Sequence, residues 1–151
     1  MGSEDHARAL LREAAALPET ELGRFLKGLA APVRRAVERG WWAQRHRGQF
    51  PRDDAWKVWL LRAGRGFGKT RAGAEWVWAR AREHARSDGA GGPLRIALVG
   101  GSLDEVGKVM VEGDSGLLAC ARAGEAARWV PSRRTLYFGS GAEAYAYSGE
   151  R

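Results

Sequence analysis

The stretch Ala63–Thr70, with the sequence AGRGFGKT, determines how the rest of the chain is interpreted. Its last three residues match the end of the phosphate-binding pattern G-x-x-x-x-G-K-[ST], and Ala63 stands where that pattern has its first glycine. A phosphate loop of this kind lies between a strand and a helix. The run WKVWLL at 56–61 is typical of a buried strand, and residues 71–86 are rich in helix formers. The sequence therefore predicts a strand, a phosphate loop and a helix, in that order.

The residue types of the loop suit a triphosphate. Backbone N–H groups of a glycine-rich turn can surround phosphate oxygens, and the N-terminus of the following helix favours anions. We expect Lys69 to reach the β- and γ-phosphates and the Thr70 hydroxyl to bind Mg²⁺. Alanine at position 63 is compatible with this role if its backbone does not need a positive φ. The N–H groups expected to line the cradle belong to Gly64, Arg65, Gly66, Phe67, Gly68, Lys69, Thr70 and Arg71.

A less specific interpretation of the loop stays open at this point. A glycine-rich turn can join a strand to a helix without binding phosphate, and the lysine would then be incidental. The flanking patterns favour the phosphate loop, because they supply the strand and the helix that its geometry requires.

Two regions are predicted along the chain. Residues 1–40 are expected to form a helical N-terminal segment, because apolar residues recur there at intervals of three and four. One such stripe consists of Leu22, Phe25, Leu26 and Leu29. Residues 41–151 are expected to form a separate domain that contains the loop.

Three patterns after the loop indicate the fold of this domain. The run LRIALVG at 94–100 is typical of a central parallel strand. Ser102 and Glu105 form a capping box, so Asp104 is expected at a helix start. The runs RTLYF and AEAYAY on either side of the turn at 139–141 predict a hairpin. Alternating strands and helices predict an α/β domain, with a parallel sheet and flanking helices.

Composition limits the classes of protein to consider. The net charge is +7, and residues 40–89 carry 11 Lys/Arg against 5 Asp/Glu, so a nucleotide or nucleic-acid partner fits. The alternative explanation is an arginine-rich composition that results from a GC-rich genome. Cys120 is the only cysteine, which excludes an intrachain disulfide, and we expect it to be buried. No run approaches the ~18 apolar residues of a membrane span, and no signal-peptide core follows Met1. We therefore expect a soluble intracellular protein.

The run AGRGFGKTRAGAEWV at 63–77 closely resembles the large subunit of phage-type terminase, the DNA-packaging motor protein of tailed phages, prophages and gene transfer agents. The stretches at 95–118 and 129–150 are similar to the same family, so the resemblance covers about residues 41–151. It implies the N-terminal part of a P-loop NTPase domain of the additional-strand type found in packaging motors and helicases. Short helices before that domain are compatible with the family.

The resemblance also implies ligands, partners and roles for residues. ATP is the implied ligand, Mg²⁺ the cofactor and double-stranded DNA the translocated substrate. The implied partners are a small terminase subunit, the portal protein and further copies in a homo-oligomeric motor, in the cytoplasm of a bacterial host. Arg65 and Lys69 are implied to be catalytic, since a guanidinium can stabilise charge on a transferring phosphoryl group. Gln49, just before Pro51, stands where related motors carry the glutamine that contacts adenine; a surface-loop glutamine is the alternative.

One part of the family's catalytic machinery has no counterpart in the sequence. Phosphoryl transfer also needs a carboxylate near Mg²⁺ and a residue that orients water. The family supplies both from a strand of four apolar residues followed by Asp-Glu, and no such run follows Leu94. We therefore expect this chain to be the N-terminal part of a longer protein, without this strand and without the nuclease domain. We expect the chain to bind ATP–Mg²⁺ weakly and to hydrolyse it little. The alternative functions are a non-catalytic nucleic-acid-binding or motor-docking module and a small P-loop kinase.

Overall fold

The computed structural model describes two compact units of the chain, with their boundary between Arg47 and Gly48. The described residues are 10, 17–31, 33–34, 41, 45, 47–49, 51, 56–87 and 92–150. In the first unit, helix α1 runs over Glu19–Gly28. It starts after Pro18, whose carbonyl accepts a hydrogen bond of 2.9 Å from the N–H of Glu21. The other helical stripes predicted within residues 1–40 lie largely outside the described residues.

The second unit contains one mixed four-stranded sheet. Its strands are β1 (Arg95–Gly100), β2 (Ala127–Val130), β3 (Thr135–Phe138) and β4 (Glu143–Ser148), in the order β1-β4-β3-β2. Only β1 and β4 are parallel, whereas β3 pairs antiparallel with both β4 and β2. The predicted α/β class and the predicted hairpin are confirmed. The sheet is mixed, so the prediction of a parallel sheet holds only for the β1–β4 pair. The β3–β4 hairpin is antiparallel, as the short turn between its strands requires, and β2 adds a second antiparallel pair that the sequence did not predict.

Two helices of the second unit begin at or within two residues of the predicted positions. Helix α2 runs over Lys69–Arg86, and α3 over Leu103–Glu105 continues into a π-helical turn at Val106–Val111. The Ser102 hydroxyl accepts a 3.1 Å hydrogen bond from the N–H of Glu105, whose carboxylate accepts one of 2.8 Å from the N–H of Gly101. The Ser102 half of the predicted capping box is therefore confirmed, whereas the Glu105 carboxylate binds the N–H one residue before the N-cap. One short 3₁₀ turn lies at Pro131–Arg133, and another, at Arg47–Gln49, includes the boundary between the two units.

The core lies between helix α2 and one face of the sheet. The register places Leu98 beside Ala146 and Leu136 beside Ala144, so that small and large apolar side chains share this face. Trp78 of α2 is buried against them, with its ring edge-on to Phe138 at 4.9 Å and 89°. Its indole N–H donates to the carbonyl of Leu117 at 2.8 Å, which satisfies the one polar atom of this buried side chain.

The buried face of α2 differs from the one that its apolar spacing suggests. The sequence suggests a face through Ala72, Trp76 and Ala79, but only Ala72 is buried and the other two are half-buried. The buried residues are Ala72, Ala74, Glu75, Val77, Trp78 and Ala81. Because alanine occurs on two opposite sides of this helix, apolar periodicity alone does not determine which side faces the sheet.

The predicted strand at 56–61 does not form. No strand is assigned to these residues, and Val58 and Leu60 are 83% and 74% exposed. A strand is defined by pairing, and none of the four described strands pairs with this segment. Its contacts are aromatic: the ring of Trp56 lies 6.2 Å from that of Trp59 and 6.0 Å from that of Trp76.

Strand β1 also occupies a different position from the one expected. Its apolar sequence is typical of a central strand, but it lies at one edge of the described sheet, where Val99 is 57% exposed. A continuous apolar run indicates burial on both faces and does not report how many neighbours a strand has. In the described part of the chain, no helix is both long and apolar enough to cross a membrane.

Candidate phosphate-binding site

The stretch 63–68 forms an irregular loop that leads directly into α2. Gly66 and Gly68 have φ values of 82° and 85°, in the left-handed region that glycine adopts without a steric penalty. Among the described non-glycine residues, only Arg134 has a positive φ, so Ala63 meets the condition under which alanine fits this position. The loop is therefore a tight turn whose two left-handed residues are both glycines.

Lys69 joins the end of the loop to its beginning. Its ammonium Nζ donates hydrogen bonds of 2.8 Å to the carbonyls of Ala63 and Gly64. These carbonyls hold the cation at the start of the loop, while the lysine side chain remains exposed. An anion that approaches the loop therefore meets a fixed positive charge that it can reach from solvent.

The N-terminus of α2 adds backbone donors at the same place. The cap bond runs from the N–H of Ala72 to the carbonyl of Gly68, at 2.9 Å. The N–H groups of Lys69 and Thr70 precede that bond, so the helix itself supplies no acceptor for them. Together with the helix dipole, they make this end of α2 favourable for an anion.

Gln49 lies against the loop although it is 18 residues away from Phe67 in sequence. Its side chain is 4% exposed, and its carboxamide N–H donates to the carbonyl of Phe67. A Cβ atom added to Gly68 would lie only 2.8 Å from the Gln49 Nε2. The structure thus brings Gln49 and the predicted loop together. That Gln49 contacts adenine stays a prediction.

Arg65 and Thr70 face different surroundings. Arg65 is exposed, and its guanidinium has no hydrogen bond or ion pair with any residue that the structure describes. Thr70 is half-buried and, with Lys69, lines one end of a cleft of about 380 Å³ between α2 and β1. The other residues that line this cleft are mostly apolar, among them Val77, Ile96 and Leu98. The polar end of the cleft therefore coincides with the start of α2.

Arg71 is held by a residue that sequence reasoning missed. Its Nε and Nη2 atoms donate to the Glu75 carboxylate at 3.0 and 2.7 Å, and Glu75 is only 7% exposed. This pair fixes the Arg71 side chain along the helix, so the residue's predicted contribution to the cradle is limited to its backbone N–H. The spacing of four residues within a predicted helix is the signal that could have identified the pair.

The described residues offer few ligands for a metal ion. No group of three or more His, Cys, Asp or Glu side chains in the described part of the chain is placed to hold one. Mg²⁺ commonly binds through one or two protein ligands, substrate phosphates and water. The Thr70 hydroxyl at the start of α2 could be one of these few protein ligands, so Thr70 stays the candidate ligand of Mg²⁺.

The geometry defines a mixed α/β unit with a glycine-rich loop at the N-terminus of its longest described helix. Comparisons of the chain with protein-family models, with curated proteins and with solved structures found no match.

Proposed function

We propose that this chain is the ATP-binding portion of a terminase large subunit, which powers the packaging of double-stranded DNA into a procapsid, and that its second unit belongs to a P-loop NTPase domain. The observation that carries this proposal is the closed loop between Ala63 and Lys69. Its lysine lies at the loop's start, two left-handed glycines form its turn, and a helix N-terminus follows it. The sequence resemblance at 63–77 supplies the particular kind of motor.

In this proposal, the charged side chains and the backbone N–H groups of the loop bind the triphosphate through hydrogen bonds and attraction between opposite charges. The Lys69 ammonium exchanges its carbonyl partners for β- and γ-phosphate oxygens, which carry full negative charge and are stronger acceptors. The N–H groups at the start of α2 bind the same phosphates. Arg65, exposed and without a partner among the described residues, is free to turn toward the γ-phosphate.

Mg²⁺ would enter the site together with ATP. The Thr70 hydroxyl would supply a protein ligand to the ion, which would offset part of the charge on the phosphates. Thr70 is positioned for this by the first turn of α2, one residue after Lys69.

The direct test compares the unaltered chain with Lys69→Ala by calorimetric titration with ATP and Mg²⁺. Loss of a charged hydrogen-bond donor to phosphate costs about 1.5–3 kcal/mol, so we expect binding to weaken at least about tenfold. Lys108→Ala is the matched control, because Lys108 is an exposed lysine paired with Asp104 outside the loop. Equal affinity for all three chains would rule out the loop as the nucleotide site.

The proposed partners are double-stranded DNA, a small terminase subunit, a portal protein and further copies of the motor subunit. Support for DNA comes from charges just before the loop and within it. Lys57, Arg62 and Arg65 are exposed and have no ion pair within the described residues. A non-catalytic nucleic-acid-binding module would use the same charges and is the second candidate; it predicts DNA binding that Lys69→Ala leaves unchanged.

A further inference from the structure

The loop is contacted by a residue outside it, Gln49, which ends a 3₁₀ turn. One hydrogen bond joins this turn to the loop, and Gly48 of the turn lies near the Phe67 ring. The Gln49 carboxamide donates to the Phe67 carbonyl, and the position of a Cβ on Gly48 would lie 3.6 Å from the Cζ atom of the Phe67 ring. Phe67 is the residue between the two left-handed glycines. The hydrogen bond from Gln49 therefore acts on the centre of the loop.

The hydrogen bond to Phe67 also determines the direction of the next backbone donor. In a trans peptide the C=O and the following N–H point in opposite directions. Since the Phe67 carbonyl points at Gln49, the N–H of Gly68 points away from Gln49. Rotation of this peptide group would break the bond to Gln49 and would reverse that N–H.

Gly68 is also the residue on which the Gln49 carboxamide packs. A Cβ at Gly68 would lie 2.8 Å from Nε2 and 4.0 Å from Cδ of Gln49. Gly68 is the N-cap of α2 and has no side chain to cap the helix. Gln49 thus lies against both Phe67 and Gly68, the two residues that the 67–68 peptide bond joins, at the point where the helix begins.

We propose that Gln49 is a positioning residue, whose carboxamide fixes the Phe67–Gly68 peptide so that the loop's N–H groups are oriented for a phosphate anion before any ligand binds. This inference rests on the proposed function, since it assigns a role within that phosphate site. It differs from contact with adenine, because the atom that Gln49 holds belongs to the loop. Its effect should therefore extend to ligands without a base.

The experiment uses two probes, ATP and inorganic tripolyphosphate, each with Mg²⁺, on the unaltered chain and on Gln49→Met. Methionine keeps the length and volume of the side chain but cannot donate to Phe67. We expect both affinities to fall by the same factor, roughly tenfold, which is the effect of losing one buried hydrogen bond. A loss confined to ATP would assign Gln49 to the base and would overturn the positioning role. Unchanged affinity for both probes would overturn it too.

A second variant separates the donor from simple packing. Gln49→Glu has nearly the same shape, but its carboxylate can only accept hydrogen bonds and would repel the Phe67 carbonyl. We expect Gln49→Glu to bind tripolyphosphate at least as weakly as Gln49→Met. Binding equal to that of the unaltered chain would show that only the volume of the side chain matters.

If the variants do not fold, nuclear magnetic resonance of the unaltered chain tests the same inference. We expect a cross-relaxation signal between the Gln49 side-chain amide and the Gly68 α-protons in the free chain, and a shift of that amide when tripolyphosphate saturates the site. Absence of the cross-relaxation signal, or an unshifted amide at saturation, would overturn the inference. If the unaltered chain binds neither probe, the proposed function fails, and the signal in the free chain still decides whether the Gln49 contact exists.

Discussion

Gly68 has a backbone conformation that other residues adopt only at a cost. Its φ of 85° lies in the left-handed region, and an added Cβ would meet Gln49 Nε2 at 2.8 Å. Left-handed backbone costs an L-residue about 1–2 kcal/mol. We therefore expect Gly68→Ala to lower the free energy of unfolding by at least that amount in urea denaturation, and to weaken binding of ATP.

Gly73 provides the matched comparison within the same helix. It lies in the second turn of α2, has no positive φ, and a Cβ added there would meet nothing within 4 Å. Alanine is favoured over glycine in a helix by about 0.5–1 kcal/mol, so Gly73→Ala should raise the free energy of unfolding. Equal effects of the two substitutions would contradict the left-handed geometry assigned to Gly68.

Cys120 gives a prediction that follows from its burial. The side chain is 4% exposed, and burial raises the pKa of its thiol to about 11. At pH 8 only about one thiol in a thousand would then be the reactive thiolate. We expect iodoacetamide to modify the native chain very slowly and the chain in guanidinium chloride quickly, as followed by mass spectrometry. Similar rates in the two states would show that Cys120 is accessible in the native chain.

At the scale of elements, Arg82 and Glu125 connect α2 to the turn before β2. The Arg82 Nε and Nη2 atoms donate to the two oxygens of Glu125 at 2.6 and 2.9 Å. Burial alone would raise the pKa of the Glu125 carboxyl. The hydrogen bonds from Arg82 and from the N–H of Arg122, with the charge of both arginines, nevertheless lower it below its ordinary value of 4.5.

This pKa direction fixes the sign of a pH effect. A carboxyl with a lower pKa in the folded than in the unfolded chain stabilises the fold above the unfolded pKa, and that contribution is lost as pH falls through the folded pKa. Glu125→Gln should therefore be less stable than the unaltered chain at pH 6, and the difference should shrink below about pH 4.5. Urea denaturation at each pH measures this difference. A difference that does not change with pH would mean that the ion pair contributes nothing.

A control for this experiment is available on the surface. Asp104 and Lys108 form an ion pair of 2.8 Å in which both side chains are more than two-thirds exposed. Exposed pairs of this kind contribute little to stability. Asp104→Asn should therefore leave the pH dependence of unfolding almost unchanged.

The elements that could be predicted from the sequence are those with local signals. Helix α2 follows from a run of helix formers after the loop, α3 from its capping box, and the hairpin from two alternating runs around glycines. The segment at 56–61 has the composition of a strand and yet forms none. Composition indicates that these residues would fit in a sheet, whereas a strand forms only beside another strand whose backbone N–H and C=O groups are unpaired.

The site shows the same division between local and distant information. The pattern GKT and the glycines identify the loop, because the backbone conformations they allow are local properties. The contact of Gln49 with Phe67 joins residues 18 positions apart across a segment without periodicity. No local pattern reports such a contact. The sequence indicated Gln49 only through a resemblance, and for a different role.

For the whole molecule, the net charge of +7 leads to a prediction about DNA. Three arginines of α2 are engaged by Glu75, Glu83 and Glu125, which leaves the charges near the loop as the better candidates for phosphate contact. If Lys57, Arg62 and Arg65 each neutralise one DNA phosphate, the logarithm of affinity should fall with the logarithm of salt with a slope of about −2.7. Doubling the salt would then weaken binding roughly sixfold.

Fluorescence anisotropy with a labelled duplex measures this slope. Arg62→Ala should reduce its magnitude by about 0.9, because one counterion fewer is released. Arg133→Ala is a suitable control, since Arg133 is exposed in the 3₁₀ turn between β2 and β3. Affinity independent of salt, or an equal change in both variants, would exclude these three residues as the DNA contacts.

The indoles of Trp56, Trp59 and Trp76 surround the loop in sequence, two before it and one after it, with Trp56 about 6 Å from each of the others. Transition dipoles at such separations and tilts couple, so the group should give its own band pattern in near-ultraviolet circular dichroism. The chain thus carries an intrinsic optical reporter whose parts are attached to both ends of the loop. Movement of either end relative to the other would change this spectrum without any added label.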